Sequence, residues 1–297
     1  MTNILLFGST TKTGQYIKSY YKEFIENSKI YCFTSKKNST FYLDLKSKIF
    51  PDAINFNEKT IIISLAPIWL FVPYLESILE RKKINKNKIL AIIVISSSSV
   101  ITKKYSWNKF DNNLYKTLSL YEEKLFKLNK KYNIQISLLR PTLIYDDIGN
   151  NSDKNISFLL KIMKKTLILP FPKDTGLRQP IHISQLGQSI LKISKSYYLN
   201  KNKKESIQVV NLGGDEELTY QEMLYRIKKS YTKPKSINCI FLEIPNRVFF
   251  LLCLPIIIFS PKLYEAIQRI TINMHGFTKS YEISGKKKKN FPVKSRK

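Results

Sequence analysis

Residues 3–14 decide the fold of this chain, and their sequence is Asn3-Ile-Leu-Leu-Phe-Gly-Ser-Thr-Thr-Lys-Thr-Gly14. An apolar run typical of a short strand ends at Gly8, and a helical pattern with apolar residues on one face follows from Ile17 to Phe24. A glycine-containing loop at a helix N-terminus presents backbone N–H groups and the positive end of the helix dipole. The stretch therefore predicts a loop that binds the pyrophosphate of a dinucleotide.

Two glycines of this loop have separate expected roles. We expect Gly8 to make the tight turn and Gly14 to let the helix pack closely on the strand. The middle position, where a third glycine is common, is Thr11. Its side chain leaves less room for a phosphate to come close to the backbone of the loop. Further loop hydroxyls that are candidates for phosphate binding are those of Ser9, Thr10 and Thr13. The alternative is an ordinary glycine-containing turn between a strand and a helix.

Further strand patterns follow at residues 29–34, 60–65, 89–96 and 135–140. The runs at 60–65 and 89–96 are continuously apolar, which is typical of parallel strands covered by helices on both faces. Helical periodicity occupies residues 68–82 and 114–132, and we expect Asp111, Asn112 and Asn113 to cap the second of these helices. Such repeated βα units predict an α/β fold with a Rossmann-like, doubly wound parallel sheet.

The composition excludes several classes of protein. The 297 residues carry 50 Lys and Arg against 22 Asp and Glu, but only seven of the cations are Arg, which argues against a nucleic-acid binder. Three separated cysteines and two histidines predict neither a disulfide framework nor a metal site. The apolar run at 248–259 is too short to span a bilayer, and we expect a buried or interfacial helix there. Peripheral membrane contact through the basic tail from Lys286 onward is a less favoured alternative. The N-terminus has no signal-peptide pattern, and a cytoplasmic location is expected.

Several motifs occur in a recognisable order along the chain. They are Gly8–Gly14, Leu65-Ala-Pro67, Ser96-Ser-Ser-Ser-Val100, Leu139-Arg-Pro-Thr-Leu-Ile-Tyr145, Arg178-Gln-Pro-Ile-His-Ile-Ser184, Asn211-Leu-Gly-Gly-Asp215 and Leu218-Thr-Tyr-Gln-Glu222. Together they resemble the extended short-chain dehydrogenase/reductases, the NAD-dependent epimerase/dehydratase group. The resemblance implies a dinucleotide-binding Rossmann domain at 1–150, to whose sheet later segments return. It also implies a smaller C-terminal substrate region at 151–285, and we expect a basic, disordered tail at 286–297.

The resemblance also implies roles for individual residues outside the loop. Asp44 would meet the adenine amino group, Ala66 and Pro67 would lie against the cofactor, and Pro141 and Thr142 would lie beside the nicotinamide. Arg178 would approach the phosphate of a nucleotide-sugar substrate.

The end of the second predicted strand bears on the choice of cofactor. Its sequence, Thr34-Ser-Lys-Lys37, has no carboxylate to accept hydrogen bonds from the ribose hydroxyls of NAD. Lys36 instead suits a 2′-phosphate, which favours NADP over NAD. The alternative is a solvated lysine pair in a lysine-rich chain.

The catalytic motif of the family is incomplete in this sequence. The family uses a serine, matched by Ser98, and a Tyr-x-x-x-Lys pair that shares one helix face, so that the ammonium lowers the pKa of the phenol. The literal match, Tyr105 and Lys109, precedes the predicted helix. In the expected register the tyrosine is Tyr115, but its partner is Ser119. Tyr115 is therefore either a weakened acid or a surface tyrosine.

Three functions stay open at this point. The leading one is an NAD(P)-dependent oxidoreductase or epimerase that acts on a nucleotide sugar or a related small molecule, with Ser98 and Tyr115 as its catalytic residues. The second is a catalytically silent dinucleotide-binding sensor or assembly factor. The third is a basic membrane-surface binder on a Rossmann platform. The oligomeric state is not predicted.

Overall fold

The computed structural model describes residues 1–35, 42–47, 58–81, 84–148, 154–199, 207–231 and 237–293. The strands are β1 (Thr2–Phe7), β2 (Ser28–Phe33), β3 (Lys59–Ser64), β4 (Ile89–Ile95), β5 (Ile136–Pro141), β6 (Ile144–Tyr145), β7 (Ile168–Pro172), β8 (Leu177–Arg178), β9 (Ile181–His182), β10 (Ile207–Gly213), β11 (Leu218–Thr219), β12 (Ile240–Ile244) and β13 (Thr278–Lys279). The α-helices are α1 (Lys12–Phe24), α2 (Ile68–Leu79), α3 (Ser99–Thr102), α4 (Lys109–Tyr132), α5 (Lys154–Lys165), α6 (Ile183–Tyr198), α7 (Tyr220–Ser230), α8 (Asn246–Cys253), α9 (Ile256–Phe259), α10 (Pro261–Gln268) and α11 (Ser280–Ser284).

A parallel sheet of seven strands forms the centre of the molecule. Its order is β13-β10-β5-β4-β3-β1-β2, and every neighbouring pair is parallel. The chain moves outward from β1 first to β2 and then, in the other direction, to β3. Because the strand order reverses at this point, the loops after β1 and β3 diverge and leave a crevice at the carboxyl edge of the sheet. The doubly wound α/β fold predicted from the sequence is confirmed.

Apolar side chains cover both faces of the sheet. Alternate residues of β1 point to opposite faces, so that Leu5 packs with α2 and α4 while Ile4 packs with α1 and α6. All six residues of β1 are buried, which explains why its last four residues, Ile4 to Phe7, are continuously apolar rather than alternating. The helices therefore hold the strand ends in fixed positions.

Helix α4 begins five residues earlier than the periodicity predicted. Its N-cap is Asn108, whose side chain accepts a hydrogen bond from the backbone N–H of Asp111 at 2.9 Å. The predicted cap at residues 111–113 is wrong because Asp111 has another role: its buried carboxylate binds Lys103 at 2.6 Å and Arg269 at 2.7 Å. Burial alone would raise the pKa of Asp111, but the hydrogen bonds from Lys103, Arg269 and the Asn108 side chain lower it to about 2.

A smaller apolar cluster lies in the C-terminal part of the chain. It includes Tyr145, residues of α5 and α7, and Phe291. The structure differs in part from the predicted disordered tail at 286–297, because Phe291 and Val293 are buried and the N–H of Val293 donates to Tyr145 Oη at 2.9 Å, although Lys286, Lys287 and Lys288 are exposed. Residues 294–297 lie outside the described residues. The apolar aromatic ring and the backbone hydrogen bonds outweigh the lysine-rich composition. The boundary near residue 150 stays a prediction.

Candidate functional site

The loop between β1 and α1 requires glycine at two positions. Gly8 has a φ of +78°, and a Cβ atom there would lie 3.0 Å from the carbonyl carbon of Leu65. At Gly14 a Cβ atom would lie 2.7 Å from the carbonyl oxygen of Gly8. Gly8 thus lets the loop pass close to the residues that follow β3, and Gly14 lets the first turn of α1 pack directly on the loop.

Thr11 occupies the middle position of the loop and caps α1. Its Oγ1 donates to the carbonyl oxygen of Gly8 at 2.9 Å and accepts from the N–H of Gly14 at 3.0 Å. The N–H groups of Lys12 and Thr13, in the first turn of α1, have no intrahelical acceptor. These two groups and the helix dipole are what the loop offers to an anion.

The other loop hydroxyls point in different directions. The Ser9 hydroxyl is buried and donates to the carbonyl oxygen of Phe33 at 3.0 Å, so it ties the loop to the end of β2. Thr10 and Thr13 line the crevice. Lys12 also lines it, although sequence reasoning assigned it no role. Its position in the loop was visible in the sequence, but one lysine among so many gave no separate signal.

One half of the crevice is a cavity of about 200 Å³ between the loop and the ends of β2 and β3. The predicted cofactor residues that line it are Gly8, Thr10, Thr11, Asp44, Ala66 and Pro67. Asp44 is exposed, and its Oδ1 accepts from the N–H of Lys46 at 2.9 Å. Lys36, the predicted partner of a 2′-phosphate, lies outside the described residues.

The other half is a cavity of about 440 Å³ that shares Thr10, Thr11 and Leu65 with the first. Its far wall consists of residues from the ends of β4, β6 and α6, namely Ile95, Ile144, Tyr145, Asp146, Ile183 and Leu186. The two cavities together form one cleft across the carboxyl edge of the sheet. None of these six residues was predicted as a site residue, because they come from three separate parts of the chain.

Pro141 and Thr142 lie at the end of β5 and hold the strand ends together. The carbonyl oxygen of Pro141 accepts from the N–H of Ser98 at 3.0 Å. The Thr142 hydroxyl donates to the carbonyl oxygen of Gln179 at 2.5 Å, and its N–H donates to Leu212 at 2.9 Å. Neither residue is part of the lining of the two cavities. Their predicted place beside the nicotinamide stays a prediction.

Ser98 and Tyr115, the predicted catalytic residues, lie on neighbouring elements. Ser98 precedes α3, directly after β4, and Tyr115 is half-buried on α4 against the core of the α2–α4 face. Ser119 lies one turn further along α4, at the position where the expected register would place the family's lysine. Tyr105 is 87% exposed in the turn before α4, whereas Lys109 is the first residue of the helix, so the two do not share a helix face.

A charged pair that the sequence did not predict lies just below the ends of β4 and β5. The buried carboxylate of Glu122, on α4, accepts from Arg140 at 3.2 Å and 2.5 Å. It also accepts from the Ser96 hydroxyl at 2.5 Å. Because Glu122 balances its charge, Arg140 does not replace the free ammonium of the usual Tyr–Lys pair.

The side chains of Arg178 and His182 both form hydrogen bonds with backbone groups of the protein itself. The Arg178 guanidinium is buried and donates to Leu177 at 2.8 Å, to Ile272 at 2.6 Å, and to Arg269. Burial lowers its pKa, and its contacts place it outside the lining of the cleft. His182 caps α6, with Nδ1 at 2.8 Å from the Ser184 hydroxyl, and burial lowers its pKa to about 4. It is therefore neutral near pH 7.

No protein-family model matches the sequence, and no curated protein matches it. Solved structures do resemble the fold. RMD from Pseudomonas aeruginosa, complexed with NADPH, has a TM-score of 0.60 at 10% identity, covering 97% of this chain and 94% of that one. UDP-glucose 4-epimerase from Thermotoga maritima, with UDP-glucose, has a TM-score of 0.59 at 13% identity over 95% and 92%. UDP-glucuronic acid 4-epimerase from Bacillus cereus, in complex with NAD, has a TM-score of 0.53 at 17% identity over 81% and 86%. The chain therefore has the fold that its resemblance to extended short-chain dehydrogenase/reductases implied.

Proposed function

We propose that this protein binds NADP or NAD and transfers hydride to or from a nucleotide sugar or a related small molecule. The observation that carries the proposal is the cleft at the carboxyl edge of the sheet. The cleft has the glycine loop in its middle, a cavity of about 200 Å³ on one side and one of about 440 Å³ on the other. Ligands of doubly wound sheets bind at this place. The similar solved structures contain NADPH, NAD or UDP-glucose.

The residues of the cleft fit a dinucleotide. Lys12 and Thr13 line the cleft at the N-terminus of α1, where a helix offers its first N–H groups and the positive end of its dipole to a phosphate. Ile95 and Ile144 give the larger cavity an apolar wall, which excludes water from a reacting carbon. When bound there, a nicotinamide would supply hydride exchange with a substrate carbon. In the proposed roles, the Ser98 hydroxyl polarises the substrate oxygen and the Tyr115 hydroxyl donates or accepts the proton.

One observation favours a second candidate function, a catalytically silent dinucleotide-binding protein. Ser119 carries no charge with which to stabilise a Tyr115 phenolate, and Arg140 is already paired with Glu122. Under this alternative the cleft binds the cofactor, but proton transfer is slow.

Two measurements separate these functions. The first is the binding of NADPH and NADH to the purified protein, and absence of binding at millimolar concentration by folded protein would refute both functions. The second is the turnover of UDP- and GDP-sugars by the parent, Tyr115→Phe and Tyr121→Phe. Tyr121 is a matched control, since it is also half-buried against the same core on α4. If the enzyme proposal is right, Tyr115→Phe loses about 10²-fold or more and Tyr121→Phe changes little. Binding without turnover of any sugar by the parent would support the silent alternative.

A further inference from the structure

The segment from α8 to the start of α10 presents a large apolar surface to solvent. Helices α8 and α9 are separated by Leu254 and Pro255, and together they carry most of the apolar run at 248–259. Four side chains form what we call the apolar tip: Leu251 (65% exposed), Leu252 (64%), Ile258 (80%) and Phe259 (86%). Further exposed apolar residues around the tip are Val248, Leu254, Ile257 and Leu263. A patch of this kind on a folded protein marks an interaction site.

Exposed aromatic residues from a second segment extend this surface. Trp107 and Phe110 are each more than half exposed, just before and at the start of α4. The Lys262 ammonium, on α10, lies 3.4 Å from the centre of the Phe110 ring. Glu265, also on α10, accepts hydrogen bonds from the Ser106 hydroxyl at 2.8 Å and from the side chain of Asn108 at 2.5 Å. The two segments are thus joined in one arrangement before any partner binds.

The exposed charged side chains on these two segments are cationic, because the adjoining acidic residues, Asp111 and Glu265, are buried and paired with Arg269. Residues 99–110 and 244–264 contain five Lys and Arg and no Asp or Glu. Four of these cations are exposed, namely Lys104, Lys109, Arg247 and Lys262. The chain as a whole has a formal net charge of +28. An apolar centre with exposed aromatic residues and a cationic margin complements a layer of anionic headgroups over hydrocarbon.

We propose that this surface, made of the apolar tip, Trp107, Phe110 and the four exposed cations, docks the protein on an anionic lipid bilayer. Within the described ranges no helix has the length and apolar character to cross a membrane, so the contact is one that lies in the interface. A second copy of the chain is a poorer occupant, because a symmetric pair would bring the same cations together.

Sedimentation with vesicles tests the apolar part of the proposal. The parent should bind vesicles that contain phosphatidylserine and should bind phosphatidylcholine vesicles more weakly. Replacing all four residues of the apolar tip with serine should lower the partition coefficient on the order of a hundredfold or more. Phe158→Ser with Leu199→Ser is the control, because both side chains are exposed and belong to other helices or their ends. The control should bind as the parent does.

A second variant tests the cationic margin. Changing Lys104, Lys109, Arg247 and Lys262 to glutamine should lower binding to phosphatidylserine vesicles by at least tenfold, since each cation near an anionic surface contributes about fivefold. The matched control changes four exposed lysines elsewhere to glutamine, namely Lys18, Lys22, Lys124 and Lys130. Raised salt should weaken the parent's binding and have little effect on the margin variant.

Trp107 provides a direct reading of the contact. In Trp69→Phe protein it is the sole tryptophan, and its fluorescence should shift to shorter wavelength when phosphatidylserine vesicles are added. Circular dichroism and dinucleotide binding confirm that each variant is folded, and they keep this test separate from the proposed function. The proposal is overturned if the parent does not sediment with the vesicles or if tip and control variants bind equally. It is also overturned if the tip substitutions abolish a dimer in solution.

Discussion

Replacing Gly14 with valine should abolish dinucleotide binding while leaving a folded protein, and the structure gives the size of the effect. A Cβ atom at this position would lie 2.7 Å from the Gly8 carbonyl oxygen and 2.9 Å from Ser9 Cα. Ordinary contacts of a Cβ atom begin at 3.4 Å, so the loop must withdraw by roughly 0.7 Å. The clashing atoms are backbone, and Ser9 is tied to Phe33 by its N–H and its hydroxyl. We therefore expect a loss of about 1–3 kcal/mol in the free energy of unfolding, as for other overpacked sites.

The same displacement acts on the hydrogen bonds that the loop would donate to a phosphate. A charge-assisted hydrogen bond contributes about 1.5–3 kcal/mol. If the N–H groups of Lys12 and Thr13 both lose this contact, the dissociation constant rises by at least about a hundredfold. Valine adds two further methyl groups, and Gly14→Ala should therefore have a smaller effect in the same direction.

Calorimetric titration of NADPH into the parent, Gly14→Val and Ser19→Val measures this effect. Ser19 is exposed on the same helix, so its substitution introduces the same β-branched side chain without the clash. Urea denaturation of the three proteins gives the stability cost. A Gly14→Val protein that binds within threefold of the parent would show that the loop does not hold the phosphates.

Three further predictions follow from the cleft and its surroundings. Lys109→Ala should leave turnover within a few-fold of the parent, because Lys109 and Tyr105 do not share a helix face, and a loss of 10²-fold in a steady-state assay would refute this register. NADPH should bind about ten- to a hundredfold more tightly than NADH, and Lys36→Glu should reverse the preference; equal dissociation constants in the parent would contradict the assignment. Burial lowers the pKa of His182 from 6.5 to about 4, so the unfolded chain takes up a proton at a higher pH than the folded protein does. The free energy of unfolding should therefore be unaffected by this group above pH 6.5 and should fall by roughly 3 kcal/mol as the pH falls towards 4. Urea denaturation at several pH values should show this loss in the parent but not in His182→Asn, which keeps a capping side chain, and identical pH profiles would argue against it.

The sheet and the glycine loop could be predicted because their causes are local. A strand buried on both faces needs a continuous run of apolar residues, and the runs at 60–65 and 89–96 correspond to β3 and β4. The loop needs glycine at two fixed positions, and Gly8 and Gly14 are at those positions for reasons that the backbone geometry confirms. Buried strands and turns that require glycine can therefore be predicted from a single sequence.

The cleft wall and the charged pairs could not be predicted because their partners are far apart in the chain. Glu122 meets Arg140 from another element, and Arg178 donates to the backbone of residues more than ninety positions away. Neither contact leaves a pattern in the neighbouring sequence. The predicted start of α4 was wrong for the same reason. Asp111 forms an ion pair with Arg269, which is distant in the sequence, and Asn108 caps the helix instead.

The order of strands in the sheet has a consequence for how the protein is made. Strand β5 is internal in the finished sheet only because β10, which ends at Gly213, pairs along it. While the chain is being synthesised, the first five strands are complete by Pro141, yet β5 presents an open edge until some seventy more residues have been added. The growing chain thus passes through a stage that is vulnerable to aggregation and to capture by chaperones. A fragment that stops near residue 150 would keep this open edge permanently.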